Sequence, residues 1–164
     1  MIDILNIGSE PIFDDRIVKI ETHTYNPYAN ATLGYSDEIR IPIQHQDLYT
    51  LPFENFLYVE GKLTIREGAR VLMENNCVAF MFDELLYELD DKILENAAWN
   101  LSHNAVGADF NFCVPLNILL GFCEDYKQIV INARHELILI RSRNDNNCIF
   151  GPASTETEIE LFKI

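Results

Sequence analysis

A chain of 164 residues with 12 Lys and Arg against 26 Asp and Glu carries a formal net charge of −14, and 48% of it is hydrophobic. That length makes one domain with a sizeable core, because a chain of about 150 residues buries roughly two-thirds of its unfolded surface. The composition excludes intrinsic disorder. No apolar run approaches the ~20 residues of a spanning helix, and the acidic excess opposes a phosphate-binding surface, which needs clustered Lys and Arg.

The first fifteen residues read as an N-terminal arm, and residues 16–164 as the folded body. Residues 1–6 lack the basic and long apolar regions of a secretion signal, so the chain is expected to stay inside the cell. Residues 16–25 alternate: Val18, Ile20, Thr22 and Thr24 share one face, with Ile17, Lys19, Glu21 and His23 on the other. A period of two predicts a strand. Residues 25–34 are rich in turn-formers and read as a loop. The segment 38–43 alternates again, with Ile39, Ile41 and Ile43 inward, and Pro42 marks an edge or an interruption because it cannot donate to a ladder. After a turn over residues 47–52 comes the clearest strand, 56–65, with Leu57, Val59, Gly61, Leu63 and Ile65 opposed to Tyr58, Glu60, Lys62 and Thr64.

Residues 66–76 read as a bridge. The run 77–89 fits either an amphipathic helix or two strand segments around Asp83 and Glu84; the alternation of Val78, Phe80 and Phe82 favours strands. Asp90 and Asp91 close a turn, and residues 92–108 read as loop with a helical turn around Trp99. A short strand over 110–114 precedes a short helix near 115–121, started by Pro115 and stopped by Gly121. The apolar runs 128–131 and 137–140 predict a hairpin across Asn132–His135. Residues 144–147 form a polar turn. The last strand, 156–164, turns Ile159, Leu161 and Phe162 inward. About eight strands, one short helix and no alternation of strand and helix predict an all-β, antiparallel, eight-stranded jelly-roll sandwich.

No chemical signature emerges. His23, His45, His103 and His135 are isolated, with no His or Cys three or four residues away, so short metal spacings are absent. A cupin-type metal site lacks its His-x-His start. Asp14-Asp15 and Asp90-Asp91 sit in turn contexts, where Asp serves the backbone. The serines lack a nucleophile elbow, and the seven scattered glycines form no phosphate loop. Catalytic, cofactor-binding and metal residues are therefore all expected to be none, and no cofactor is expected. Arg134, Arg141 and Arg143 read as solvated strand ends. Cys77, Cys113, Cys123 and Cys148, with no C-x-x-C pair, read as small buried hydrophobes rather than disulfides. Tyr25, Tyr28, Tyr35, Tyr49 and Tyr58 crowd the first third, which leaves a lectin-like binding module open as an alternative to core and subunit contacts.

Three collinear stretches carry a resemblance: residues 36–64 (SDEIRIPIQHQDLYTLPFENFLYVEGKLT), 78–95 (VAFMFDELLYELDDKILE) and 110–149, which runs from "FNFCVPLNILLGF" to "HELILIRSRNDNNCI". Their order resembles the N-terminal jelly roll of double jelly-roll major capsid proteins, nearest to those of Polinton (Maverick) and adintovirus-like elements. The resemblance covers roughly residues 36–164. It implies a structural virion protein, not an enzyme, that assembles with itself into trimers or higher. It also implies partnership with a second jelly roll or a minor capsid protein, and none with nucleic acid or membrane. Location would be the virion, or the cell interior if the protein is not viral. The segment 95–110 is shorter than is usual in that family, and the second jelly roll is missing. A fragment, a degenerate copy and a domesticated single domain all fit that departure.

Overall fold

The computed structural model describes residues 18–44, 49–65, 71–74, 77–89, 92–96, 109–126, 134–150 and 157–164. Alternation builds the strands. In β1 (Glu38–Ile43) the three isoleucines are buried and the residues between them are not. In β2 (Phe56–Ile65) Leu57, Val59, Gly61 and Leu63 face in while Tyr58, Lys62 and Thr64 face out. Each large apolar side chain so buried contributes about 1.5–3 kcal/mol relative to leaving it in water. The other strands are β3 (Leu72–Met73), β4 (Phe82–Leu89), β5 (Lys92–Asn96), β6 (Asp109–Pro115), β7 (His135–Arg141), β8 (Ile149–Phe150) and β9 (Thr157–Lys163).

They form a four-stranded sheet in the order β1-β7-β4-β5, a three-stranded sheet β6-β2-β9, and a small β3-β8 ribbon, all antiparallel. The chain passes back and forth between the two larger sheets: β1 in the first, β2 in the second, the β4-β5 hairpin in the first, β6, β7 and β9 alternately thereafter. Ladder partners are therefore distant in sequence, as in β1 with β7. The inner faces share one core, with Ile39, Ile41, Leu85, Tyr87, Leu137 and Leu139 from one sheet meeting Leu57, Val59, Leu63, Phe110, Ile159 and Leu161 from the other. This winding is an all-β jelly-roll sandwich. β1 is an edge strand, where Pro42 opposite Glu136 loses no central ladder bond.

Several expectations are corrected. Residues 18–25, the described part of the predicted first strand, form no strand; alternation supplies a face, and a strand needs a ladder as well. Cys77–Phe80 is a helical turn, α1, and the strand starts only at Phe82, continuing unbroken past a bulge at Asp83. The predicted loop contains β5, which closes the hairpin with β4. The helix near 115–121 is two pieces, α2 (Leu116–Leu119) and α3 (Gly121–Asp125), separated by Leu120 in an extended conformation at φ −133° and ψ 117°. Leu116, Leu119, Leu120 and Cys123 are all buried, so packing sets this break against the propensity of the leucines, and Gly121 opens a helix where it was expected to end one. β7 is paired along its whole length by β1 and by β4, which occupies both edges a hairpin partner would use. The described residues hold nine strands, not eight. Phe162 is exposed, because it follows the inward Leu161 and alternation turns it out. Asp14, Asp15, Asp90, Asp91, Trp99 and residues 128–131 lie outside the described residues.

Candidate functional site: buried polar clusters and an apolar outer face

Arg141, read as a solvated strand end, is instead only 1% exposed. It closes β7, and its neighbours explain how a buried guanidinium is tolerated. Nη1 donates to Met81 O at 2.7 Å, Nη2 donates to Asp145 Oδ1 at 2.5 Å, and the Tyr35 ring lies 5.1 Å from the guanidinium carbon. Asp145, itself buried, accepts on Oδ2 from the Tyr35 hydroxyl at 2.6 Å and from the Ile159 N–H at 3.0 Å. The cluster therefore ties the ends of β7, the loop before β1, the segment before β4, and β9. Burial pushes the Tyr35 phenol up to about 12, and the hydrogen bond to Asp145 adds to the rise. Main-chain bonds brace the same corner: Arg141 N donates to Asp37 O and Ser36 N to Arg141 O.

A second cluster sits at the other end of β7. His135 and Tyr87, diagonal neighbours on the inner face of β7 and β4, meet at 2.6 Å between Tyr87 Oη and His135 Nδ1. Thr50 Oγ1 lies 3.1 Å from Nε2. Burial raises the Tyr87 phenol, so its hydroxyl keeps its proton and can donate it to His135 Nδ1. Tyr87 also packs on Phe122, which stacks on Tyr126. On the sheet's outer face, Glu88 and Glu136 lie directly opposite each other on β4 and β7. Arg40 relieves that repulsion by donating to Glu136 at 2.9 Å and to Glu38 at 2.5 Å.

Neither cluster is open to a substrate. Among the described residues no group of three or more His, Cys, Asp and Glu is placed to hold a metal. A cleft lined by Leu57, Val78, Phe82 and Leu119 has about 20 Å3 of free space, room for a single water. The tyrosines do not make one platform: Tyr35 turns its hydroxyl inward, Tyr58 lies on the outer face of the three-stranded sheet, and Tyr28 is held by its N–H to Arg40 O beside β1. Cys77, Cys123 and Cys148 are buried free thiols as expected, but Cys113 is exposed. Burial pushes the Cys77 thiol up to about 11.

The outer face of the β6-β2-β9 sheet divides in two. Phe56, Tyr58, Cys113 and Phe162 are all exposed at one end, Tyr58 directly opposite Cys113 and Lys163 5.7 Å above the Tyr58 ring. Lys62, Asp109, Glu158 and Glu160 occupy the other end, where Lys62 is the opposite number of both Asp109 and Glu160. An antiparallel sheet with one face in water is expected to be polar on that face, so the aromatic end is the anomaly.

No curated protein and no solved structure matches this chain. One family model does, over residues 90–164, a stretch that runs from the β4-β5 turn to the end of β9 and contains both His135 and Asp145. That model is the double jelly roll-like domain, and the chain is similar to it over these residues, just under half of its length, in keeping with the sandwich winding.

Proposed function

We propose that this domain is a capsid-like structural subunit whose work is assembly with further copies of itself, in trimers or larger shells. The supporting observation is the exposed aromatic end of the β6-β2-β9 outer face, formed by Phe56, Tyr58 and Phe162 around Cys113. Aromatic side chains exposed together on a sheet mark a contact surface more often than solvated ones do. The polar clusters support the reading in a second way, since they tie elements together inside the domain and present nothing to a substrate. In this role the protein needs no catalytic group and no cofactor. A second jelly roll or a minor capsid protein is a further candidate to cover the same face, and a virion of the Polinton type is its setting.

Sedimentation of the purified chain at rising concentration tests the proposal. Oligomers are expected that dissociate in the Phe56→Asp, Tyr58→Asp double variant while its circular dichroism stays that of the parent. A chain that remains monomeric at the highest concentrations would sink it.

A further inference from the structure

Strand register orders the charges on the outer face of the β6-β2-β9 sheet. Lys62 of β2 lies directly opposite Glu160 of β9, and one row further along the sheet Glu60 lies directly opposite Lys163. Each row is neutral, and on each strand the sign reverses from one row to the next. The bulge creates this pattern, since unbroken alternation from Glu160 would have set Phe162, not Lys163, opposite Glu60. Lys62, Glu160 and Lys163 are exposed and Glu60 is half-buried. Beyond the Glu60 row begins the aromatic end, where the Tyr58 hydroxyl donates to Glu60 at 3.0 Å and Lys163 lies 5.7 Å from the Tyr58 ring. Beyond the Lys62 row stand Thr64 and Glu158.

A face with this pattern is complementary to itself. Let a two-fold axis run along the groove between β2 and β9, so that β2 of one copy lies over β9 of the other. Lys62 then meets Glu160 of the second copy and Glu60 meets its Lys163, and each pair is made twice, as an isologous contact requires. The aromatic ends meet each other. A two-fold axis across the strands would also bring opposite charges together, Lys62 with Glu60 and Lys163 with Glu160. It would, however, lay Phe56 and Tyr58 over Thr64 and Glu158. A slip of one row along the groove would set Lys62 against Lys163 and Glu60 against Glu160.

We propose that two copies pack these outer faces together about a two-fold axis parallel to the strands, with Lys62–Glu160 and Glu60–Lys163 pairs crossing the contact. The inference rests on the reading above, that a second copy covers the aromatic end, and it adds the orientation. Sheets that pack face to face keep their strands within about 30° of each other, which holds both charged rows in reach. The rings supply the attachment. The crossed pairs fix orientation and register more than strength, because exposed pairs contribute little by themselves.

Charge exchange at low ionic strength, where screening is weakest, tests it. Lys62→Glu and Glu160→Lys are made in separate chains, and one population carries heavy nitrogen so that native mass spectrometry tells them apart. Alone, each variant sets like charges against each other twice and is expected to associate roughly tenfold more weakly than the parent. Mixed, the two restore both attractions and are expected to form a heterodimer at about the parent's affinity. A chain carrying both substitutions is expected to pair with itself again, so loss in the single variants is read as charge and not as misfolding. An axis across the strands would give recovery in neither case. A parent that associates while neither the mixture nor the double variant recovers overturns this orientation and leaves the aromatic contact standing. A parent that stays monomeric removes the aromatic contact and this inference with it.

Discussion

The two oxygens of Asp145 serve a buried arginine, a tyrosine hydroxyl and a main-chain N–H of β9. Removing it leaves the Arg141 charge buried without its partner. Asp145→Ala is expected to cost about 3–5 kcal/mol, the range for breaking a buried pair on one side. A lower urea midpoint with an unchanged slope would report that loss, and Asp145→Asn should lose less. The cluster also has an alkaline limit. Tyr35 has its folded pKa raised to about 12 from 10.0, so its contribution is fully present below pH 10 and is lost as pH climbs towards 12. Tyrosinate absorbance should therefore rise later for Tyr35 than for a free phenol, and stability should fall across that window; Tyr35→Phe should flatten the fall. None of this is legible in the sequence. "RSRND" reads as a solvated strand end, and Tyr35 lies 110 residues from Asp145.

β2 is the central strand of its sheet, and Gly61 marks where it is most crowded. A Cβ there would lie 2.5 Å from Glu160 O and 2.7 Å from the Phe110 ring, with main chain on one side unable to move aside cheaply. Gly61→Ala is expected to destabilise by roughly 1–3 kcal/mol, as overpacking does, read as a fall in thermal midpoint. The bulge beside Gly61 keeps Lys163 exposed next to Phe162, and Lys163 covers the Tyr58 ring at the aromatic patch. At this scale the sequence is informative where burial is one-sided. β1, β2 and β9 announce themselves by alternation. Cys77–Leu89 does not, because the helical turn over Cys77–Phe80 and the bulge at Asp83 break its alternation into pieces too short to choose between helix and strand. For residues 18–25 the alternation is present and the strand is not.

Across the whole molecule, the net charge of −14 sets a cost on bringing copies together. The acidic end of the outer face, with Asp109, Glu158 and Glu160, places part of that charge beside the proposed contact. Screening shortens such repulsion to about 10 Å near 0.1 M salt, while burial of Phe56 and Tyr58 is not weakened by it. Oligomers should consequently grow with added sodium chloride. Sedimentation at low and high ionic strength checks the direction, and dissociation by salt would instead identify a contact held by ion pairs.

Composition and order by themselves determined the all-β class, the antiparallel strands and the double jelly-roll resemblance, all of which are local or one-dimensional signals: period, turn residues and collinear motifs. Only the tertiary structure decided that Arg141 is buried, that His135 lies within hydrogen-bond distance of both Tyr87 and Thr50, and that β2 lies between β6 and β9. The physical reason is that strand pairing and burial depend on which distant segment arrives alongside. A period of two fixes which face a residue takes, and it is silent about the neighbour that face will meet.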